Sequence, residues 1–132
     1  MYVLDTNICI FLINSKLPEL AKRITDSPIE QICISAITQA ELEYGVAKSK
    51  NVAKNAAALT KFLSTMNVLS FDSEASEVYG KIRASLEGKG KVIGNMDMLI
   101  AAHAKSIGGT VVTNNTDEFR RIDGLKVEDW TS

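Results

Sequence analysis

The chain has 132 residues, a formal net charge of −1 and 45% hydrophobic residues. This composition excludes a disordered chain, and the length suits one domain over residues 1–132; no apolar run approaches the roughly 20 residues of a membrane-spanning helix. The near-zero charge gives no support to nucleic-acid binding, for which a basic chain is typical, and it does not exclude that function either.

The two cysteines, Cys9 and Cys33, each lie in an apolar run without a partner at metal-ligand spacing. They are therefore predicted to be buried, reduced thiols. No basic leader precedes the first strand, so nothing indicates secretion. Together these features predict a cytoplasmic protein with no membrane contact.

Short β-like runs alternate with longer helical ones along the chain. The first helix follows a polar triplet in which Thr6 or Asn7 is a candidate N-cap, and Thr38 is expected to open the third helix. Predicted strands are 2–4, 31–36, 68–69, 110–113 and 125–127. Predicted helices are 8–13, 17–26, 38–47, 51–66, 73–86 and 96–107, with a helical turn near 118–119.

Short, β-branched strands separated by helices predict an α/β fold, in which helices cover both faces of a mostly parallel sheet. In such sheets ligands bind beyond the carboxyl ends of the strands. Acidic or amide side chains occur in four of the connections expected at that edge. In chain order they are Asp5, Glu41, Asp97, Asn115, Asp117 and Glu118.

Several carboxylates held close together are unfavourable unless a cation neutralises them, and Mg²⁺ or Mn²⁺ suits an all-oxygen site. Each acid also has an ordinary structural explanation. Asp5 can cap a helix or form an Asx turn, segment 38–41 matches a capping box, and Asp97 is favoured at a helix N-terminus. The pair 117–118 can be solvated. Their coincidence at one sheet edge favours the metal site.

Other chemistry has weaker support. His103 lies in an apolar helix and is expected to be a packed structural residue. The segment 88–91 (GKGK) lacks Walker spacing and follows a helix instead of a strand. A basic concentration precedes Asp97, and a solvated helix face or a contact with an RNA backbone both remain open for it. Its members are Lys81, Arg83, Lys89 and Lys91.

Four groups of residues carry a combined pattern from Met1 to Trp130. They are 1–7 (MYVLDTN), 37–38 with 41–42 and Gly45, 93–94 with 97–104 (DMLIAAHA), and 112–115 with 118–119. In this combination the chain resembles the PIN-domain ribonucleases and, within them, the VapC toxins of bacterial toxin–antitoxin pairs.

The resemblance implies a three-layer α/β/α sandwich in which Asp5, Glu41 and Asp97 bind Mg²⁺ or Mn²⁺. Asn115 and Glu118 fall on further polar positions where many relatives carry Asp, so which of Asn115, Asp117 and Glu118 completes the site stays open. Thr6 and Thr113 fall on hydroxyl positions that support the pocket. His103 is not a metal ligand in the family.

The resemblance also implies an activity and partners. The expected enzyme is a metal-dependent endoribonuclease that inhibits translation by hydrolysing structured RNA, most plausibly tRNA, with the initiator tRNA anticodon loop as the first candidate. Metal-dependent hydrolysis leaves 5′-phosphate and 3′-hydroxyl ends. The expected partners are a VapB-type antitoxin, which places a basic residue against the acidic pocket, and a second copy of the chain in a homodimer.

Three other functions are compatible with parts of the sequence. A catalytically weak PIN-like protein that binds metal and RNA is kept open by Asn115. A receiver-type signalling domain needs an Asp directly after its third strand and a Lys after its fifth, whereas the chain offers Asp72 and segment 128–129 (ED). An Asp-x-Asp phosphatase is disfavoured because Asn7 occupies the second acidic position.

Overall fold

The computed structural model describes residues 1–131; Ser132, the last residue of the predicted domain, lies outside the described residues. The strands are β1 (Tyr2–Leu4), β2 (Ile32–Ser35), β3 (Asn67–Leu69), β4 (Thr110–Val112) and β5 (Lys126–Glu128). The helices are α1 (Thr6–Ile13), α2 (Pro18–Asp26), α3 (Ala36–Ala47), α4 (Val52–Leu63), α5 (Ser73–Gly88), α6 (Asn95–Ser106) and α7 (Thr116–Phe119), with a short 3₁₀ turn at Ile29–Gln31.

The five strands form one sheet in the order β3-β2-β1-β4-β5, and all four neighbouring pairs are parallel. In the centre, Tyr2 pairs with Ile32 on one side and with Thr110 on the other. This confirms the predicted parallel α/β fold. A receiver domain has the order 2-1-3-4-5, so the sheet excludes that alternative.

Both faces of the sheet are buried, as a parallel sheet requires. Because side chains alternate along a strand, Val3 packs against α5 and α6 on one face, and Leu4 packs against α1 to α4 on the other. Val111 and Val112 alternate in the same way. The result is the predicted three-layer α/β/α sandwich, in which the sheet lies between two hydrophobic clusters.

Two helix N-termini differ from the sequence prediction. Asp5 caps α1 through its Oδ1, which accepts a 3.0 Å hydrogen bond from the Ile8 N–H; this confirms the capping role considered for Asp5, whereas the candidates Thr6 and Asn7 were wrong. Ser35 caps α3 by accepting from the Ile37 N–H at 3.1 Å, so this helix begins at Ala36 and not at Thr38. The capping-box interpretation of 38–41 was therefore wrong.

The remaining boundaries agree within about two residues, except at the end of α4. That helix ends at Leu63, because the hydroxyls of Ser64 and Thr65 donate back to the carbonyls of Lys61 and Phe62. The prediction had extended it to residue 66. The two cysteines are free and buried, as predicted. Over residues 1–131, the structure contains no helix long and apolar enough to cross a bilayer.

Candidate metal centre

The candidate site lies at the carboxyl ends of β1, the central strand of the sheet, and its neighbour β4. The strand order reverses between them, and this switch point is where open α/β sheets form their ligand crevice. Asp5 directly follows β1, and Thr113 directly follows β4. The backbone N–H of Asp5 bonds to the Val112 carbonyl at 3.0 Å, so the two strand ends are held together.

Asp5 is the most buried acid of the site, with 3% of its surface exposed. Burial raises its pKa, and the nearby Glu41 carboxylate raises it further, whereas hydrogen bonds from Thr113 and the Ile8 N–H oppose the shift. The fully buried Thr113 hydroxyl also accepts a 2.9 Å bond from the Asn115 N–H. Thr113 thus supports the Asp5 carboxylate.

Asp97 lies in the first turn of α6 and is half-buried. Its pKa is raised to about 6, first by burial and then by the charges of Asp5, Glu118 and Glu41, in that order. Acids from four separate elements therefore interact electrostatically at one point. This is the juxtaposition that the sequence predicted for the sheet edge.

Glu41 reaches the site from the second turn of α3, one turn later than expected, because the helix starts at Ala36. Its Oε1 accepts a 2.5 Å hydrogen bond from the Thr6 hydroxyl, and that hydroxyl lies 3.4 Å from the hydroxyl of the fully buried Thr38. Thr38, missed as a site-supporting residue, had been interpreted as a helix cap.

The segment after β4 brings Asn115 and Glu118 together. The Asn115 side-chain amide donates to Glu118 Oε2 at 2.9 Å, and α7 is fixed by Phe119, which is fully buried. Glu118 therefore faces Asp97, whereas Asp117 is exposed to solvent. Of the three candidates left open by the sequence, Asn115 and Glu118 lie at the acidic cluster and Asp117 does not.

The cluster carries no basic counter-charge. Within residues 1–131, none of the ion pairs involves Asp5, Glu41, Asp97 or Glu118. In the same part of the chain, no three Asp, Glu, His or Cys side chains are grouped as a ready-made metal site. Thr6 and Asn115 each hold one of the acids by a hydrogen bond, and the all-oxygen donor set is of the kind that divalent cations such as Mg²⁺ prefer.

His103 is packed in the core, as predicted, with 3% of its surface exposed. Its Nδ1 is hydrogen-bonded at 2.7 Å to the Ser35 hydroxyl, which also accepts the Ile37 N–H. Burial lowers the pKa of this histidine. The bond joins α6, which carries Asp97, to the N-terminus of α3, which carries Glu41; no local sequence pattern predicts it.

The raised pKa of Asp97 predicts that the metal-free protein becomes less stable as the pH rises from 3.8 to above about 6. In that window the folded state holds a proton that the unfolded chain has released, so the free energy of unfolding falls with pH. Urea unfolding in EDTA across this range measures the slope. The Asp97→Asn variant is expected to show a flatter profile, and Asp117→Asn the original one. Identical slopes for wild type and Asp97→Asn would contradict this.

A sequence model of the PIN domain matches residues 2–125, so the class of protein is a PIN domain. Ribonuclease VapC2 of Rickettsia felis is 44% identical over 98% of each chain, and the tRNA(fMet)-specific endonuclease VapC of Shigella flexneri is 43% identical over 98% of each. A chain in the crystal structure of DNA-bound VapBC from Salmonella typhimurium superposes with a TM-score of 0.93 at 44% identity, covering 98% of this chain and 97% of that one.

The chain belongs to the PIN-domain family and, within it, to the VapC ribonucleases. Its activity is that of an endoribonuclease.

Proposed function

We propose that the chain is the toxin of a toxin–antitoxin pair and cleaves tRNA with the help of Mg²⁺ or Mn²⁺. The observation that carries this proposal is the cluster of Asp5, Glu41, Asp97 and Glu118 at the switch point of the sheet, where burial and the three neighbouring acids raise the pKa of Asp97 to about 6. No basic side chain among the described residues pairs with them. The uncompensated negative charge supports a cation as the missing component.

Asp5, Glu41 and Asp97 are the proposed metal ligands, and Asn115 and Glu118 complete the site. A divalent ion bound here supplies a lowered pKa for an attacking water and charge stabilisation for the leaving oxygen. Thr113 and Thr6 hold the Asp5 and Glu41 carboxylates through hydrogen bonds and so fix two of the donors. Such support maintains ligand orientation in metal sites generally.

Asp97 or Glu41 is proposed to orient the attacking water and to accept its proton. A carboxylate can accept a proton from water that lies within hydrogen-bond reach of it. Hydrolysis by water leaves a 5′-phosphate and a 3′-hydroxyl. His103 is buried, its pKa is lowered by that burial, and it is hydrogen-bonded to Ser35. It takes no part in this chemistry.

The proposed substrate is initiator tRNA, cut in its anticodon loop, with inhibition of translation as the consequence. This is supported by the similarity to the Shigella flexneri relative, a tRNA(fMet)-specific endonuclease at 43% identity. Single-stranded loops also expose the bases that proteins recognise. We expect one discrete cut when the purified protein is incubated with initiator tRNA and Mg²⁺, and a rate at least about tenfold lower with an elongator tRNA.

Primer extension on the two products measures the position and the rate of cutting. Equal rates with initiator and elongator tRNA would contradict the proposed specificity while leaving the ribonuclease activity in place.

We also propose a VapB-type antitoxin as the partner and a homodimer as the assembly. The Salmonella typhimurium and Rickettsia felis structures that resemble this chain are VapBC complexes bound to DNA. A basic side chain from such a partner fits an acidic pocket that lacks a cation of its own. Two free, buried cysteines support a reducing, cytoplasmic setting.

A further inference from the structure

A cavity lies away from the acidic cluster, on the face of the sheet covered by α5 and α6. Its volume is about 410 Å³, which lies within the range of small-ligand pockets. The floor is apolar and includes the buried side chains Ile82, Leu86 and Ile122. Exposed cationic side chains line its edge, namely Lys81, Lys105 and Arg121.

The edge of this cavity carries an excess of positive charge. Asp123 is its single carboxylate, and that group is already paired with Lys89 at 2.8 Å. Lys89, Lys105 and Lys91 together lower the pKa of Asp123. Within the described chain, four cations here form no ion pair with a carboxylate. They are Lys81, Lys91, Lys105 and Arg121.

Two cations of the cavity lie on, or shortly after, helices that carry acids of the cluster. α6 carries Asp97 in its first turn and Lys105 in its last, eight residues or about 12 Å further along the helix axis. Glu118 is followed one turn later by Arg121, whose N–H bonds to the Glu118 carbonyl at 3.1 Å. Arg121 also donates to the Val92 carbonyl in the loop that leads to Asp97. The cavity is therefore connected to the acidic cluster through α6 and through the segment that follows α7, and Lys105 lies about 12 Å from Asp97 along the helix axis.

We propose that this cavity binds one nucleotide of the substrate RNA at a distance from the cut. Lys81, Lys105 and Arg121 contact its phosphate, and the apolar floor receives its base. This inference rests on the proposed ribonuclease function. Cations for the backbone and an apolar surface for the base are the combination by which proteins hold single-stranded RNA.

The test compares two pairs of substitutions that change the net charge equally. Lys81→Gln with Lys105→Gln removes two cations of the cavity. Lys22→Gln with Lys61→Gln removes two exposed lysines of α2 and α4, the helices that pack on the opposite face of the sheet. These lysines pair with no carboxylate in the described structure. Both pairs are made in the Asp97→Asn protein, and binding of fluorescein-labelled initiator tRNA is measured by anisotropy at several salt concentrations.

We expect the cavity pair to weaken binding about tenfold at 0.1 M salt and to reduce the salt slope of log K by about 0.7, because the neutralisation of one phosphate is lost. The control pair is expected to retain the affinity and slope of its parent. The single variant Lys81→Gln breaks no hydrogen bond of the structure. It should reduce the salt slope by about half as much as the cavity pair does.

Equal effects of the two pairs would overturn the proposal, and so would the absence of RNA binding by the parent. If the parent binds free inorganic phosphate and the cavity pair leaves RNA binding unchanged, the cavity is a small-anion site. This result would also overturn the proposal. The ribonuclease function is decided separately, by cleavage with Asp97 intact. A failure of cleavage is therefore distinguishable from a failure of this inference.

Discussion

Replacement of Asp97 by asparagine is expected to lower the rate of RNA cleavage by about 10³-fold. The substitution keeps the shape of the side chain and removes its charge. One change therefore removes both a proposed metal ligand and a proposed proton acceptor. The fold should persist, because Asp97 is half-buried and its charge is opposed by Asp5, Glu118 and Glu41. Single-turnover cleavage of tRNA on a denaturing gel measures the rate.

Asp117→Asn is the matched control for this variant. Asp117 is also an acid near the end of β4, but it is exposed, and Glu118 occupies the position beside Asp97. We expect Asp117→Asn to cleave at the wild-type rate. A wild-type rate for Asp97→Asn, or an equal loss in both variants, would show that the site has been assigned to the wrong residues.

The sheet and the acids at its edge were largely predictable from the sequence. An apolar, β-branched run that ends in Asp5 identifies both a buried strand and the residue that follows it. Parallel strands point their carboxyl ends the same way, so residues that follow β1 and β4 meet without further information. Asp97 lies at the start of the helix that leads back into β4, so it begins at the same edge, and its juxtaposition with Asp5 also followed from sequence order.

The helix caps were not predictable, because they depend on contacts between distant residues. Asp5, Thr6 and Asn7 are all good N-cap residues. Thr6 is unavailable because its hydroxyl bonds to Glu41, 35 residues away. Thr38 is likewise buried beside Thr6 instead of capping its helix. Local propensity cannot distinguish between these arrangements.

Asp5 also shows that the structural and functional explanations of one residue are compatible. Its Oδ1 caps α1, and the same carboxylate interacts with Glu41 and raises the pKa of Asp97. The sequence had set these roles against each other. A carboxylate has two oxygens and about four lone-pair sites, so one group can cap a helix and contribute to an acidic cluster.

The orientation of the acids after β4 depended on packing that a short segment does not encode. α7 is only four residues long, which is too short for a hydrophobic period to define its buried side. The burial of Phe119 fixes its rotation, and this turns Glu118 toward Asp97 and Asp117 toward solvent. Of the three cations at the cavity, only Lys81 belongs to the basic concentration seen in the sequence. Lys105 and Arg121 come next to it only through the fold.

Removal of divalent metal tests the central claim most directly. The purified wild-type protein is incubated with initiator tRNA in Mg²⁺, in EDTA, and in EDTA followed by excess Mn²⁺, and the ends of the products are determined. We predict a discrete cut with 5′-phosphate and 3′-hydroxyl ends, reduced by at least about 10³-fold in EDTA and restored by Mn²⁺. A cut that persists in EDTA, or that leaves a cyclic phosphate, would contradict catalysis by a metal held between Asp5, Glu41 and Asp97.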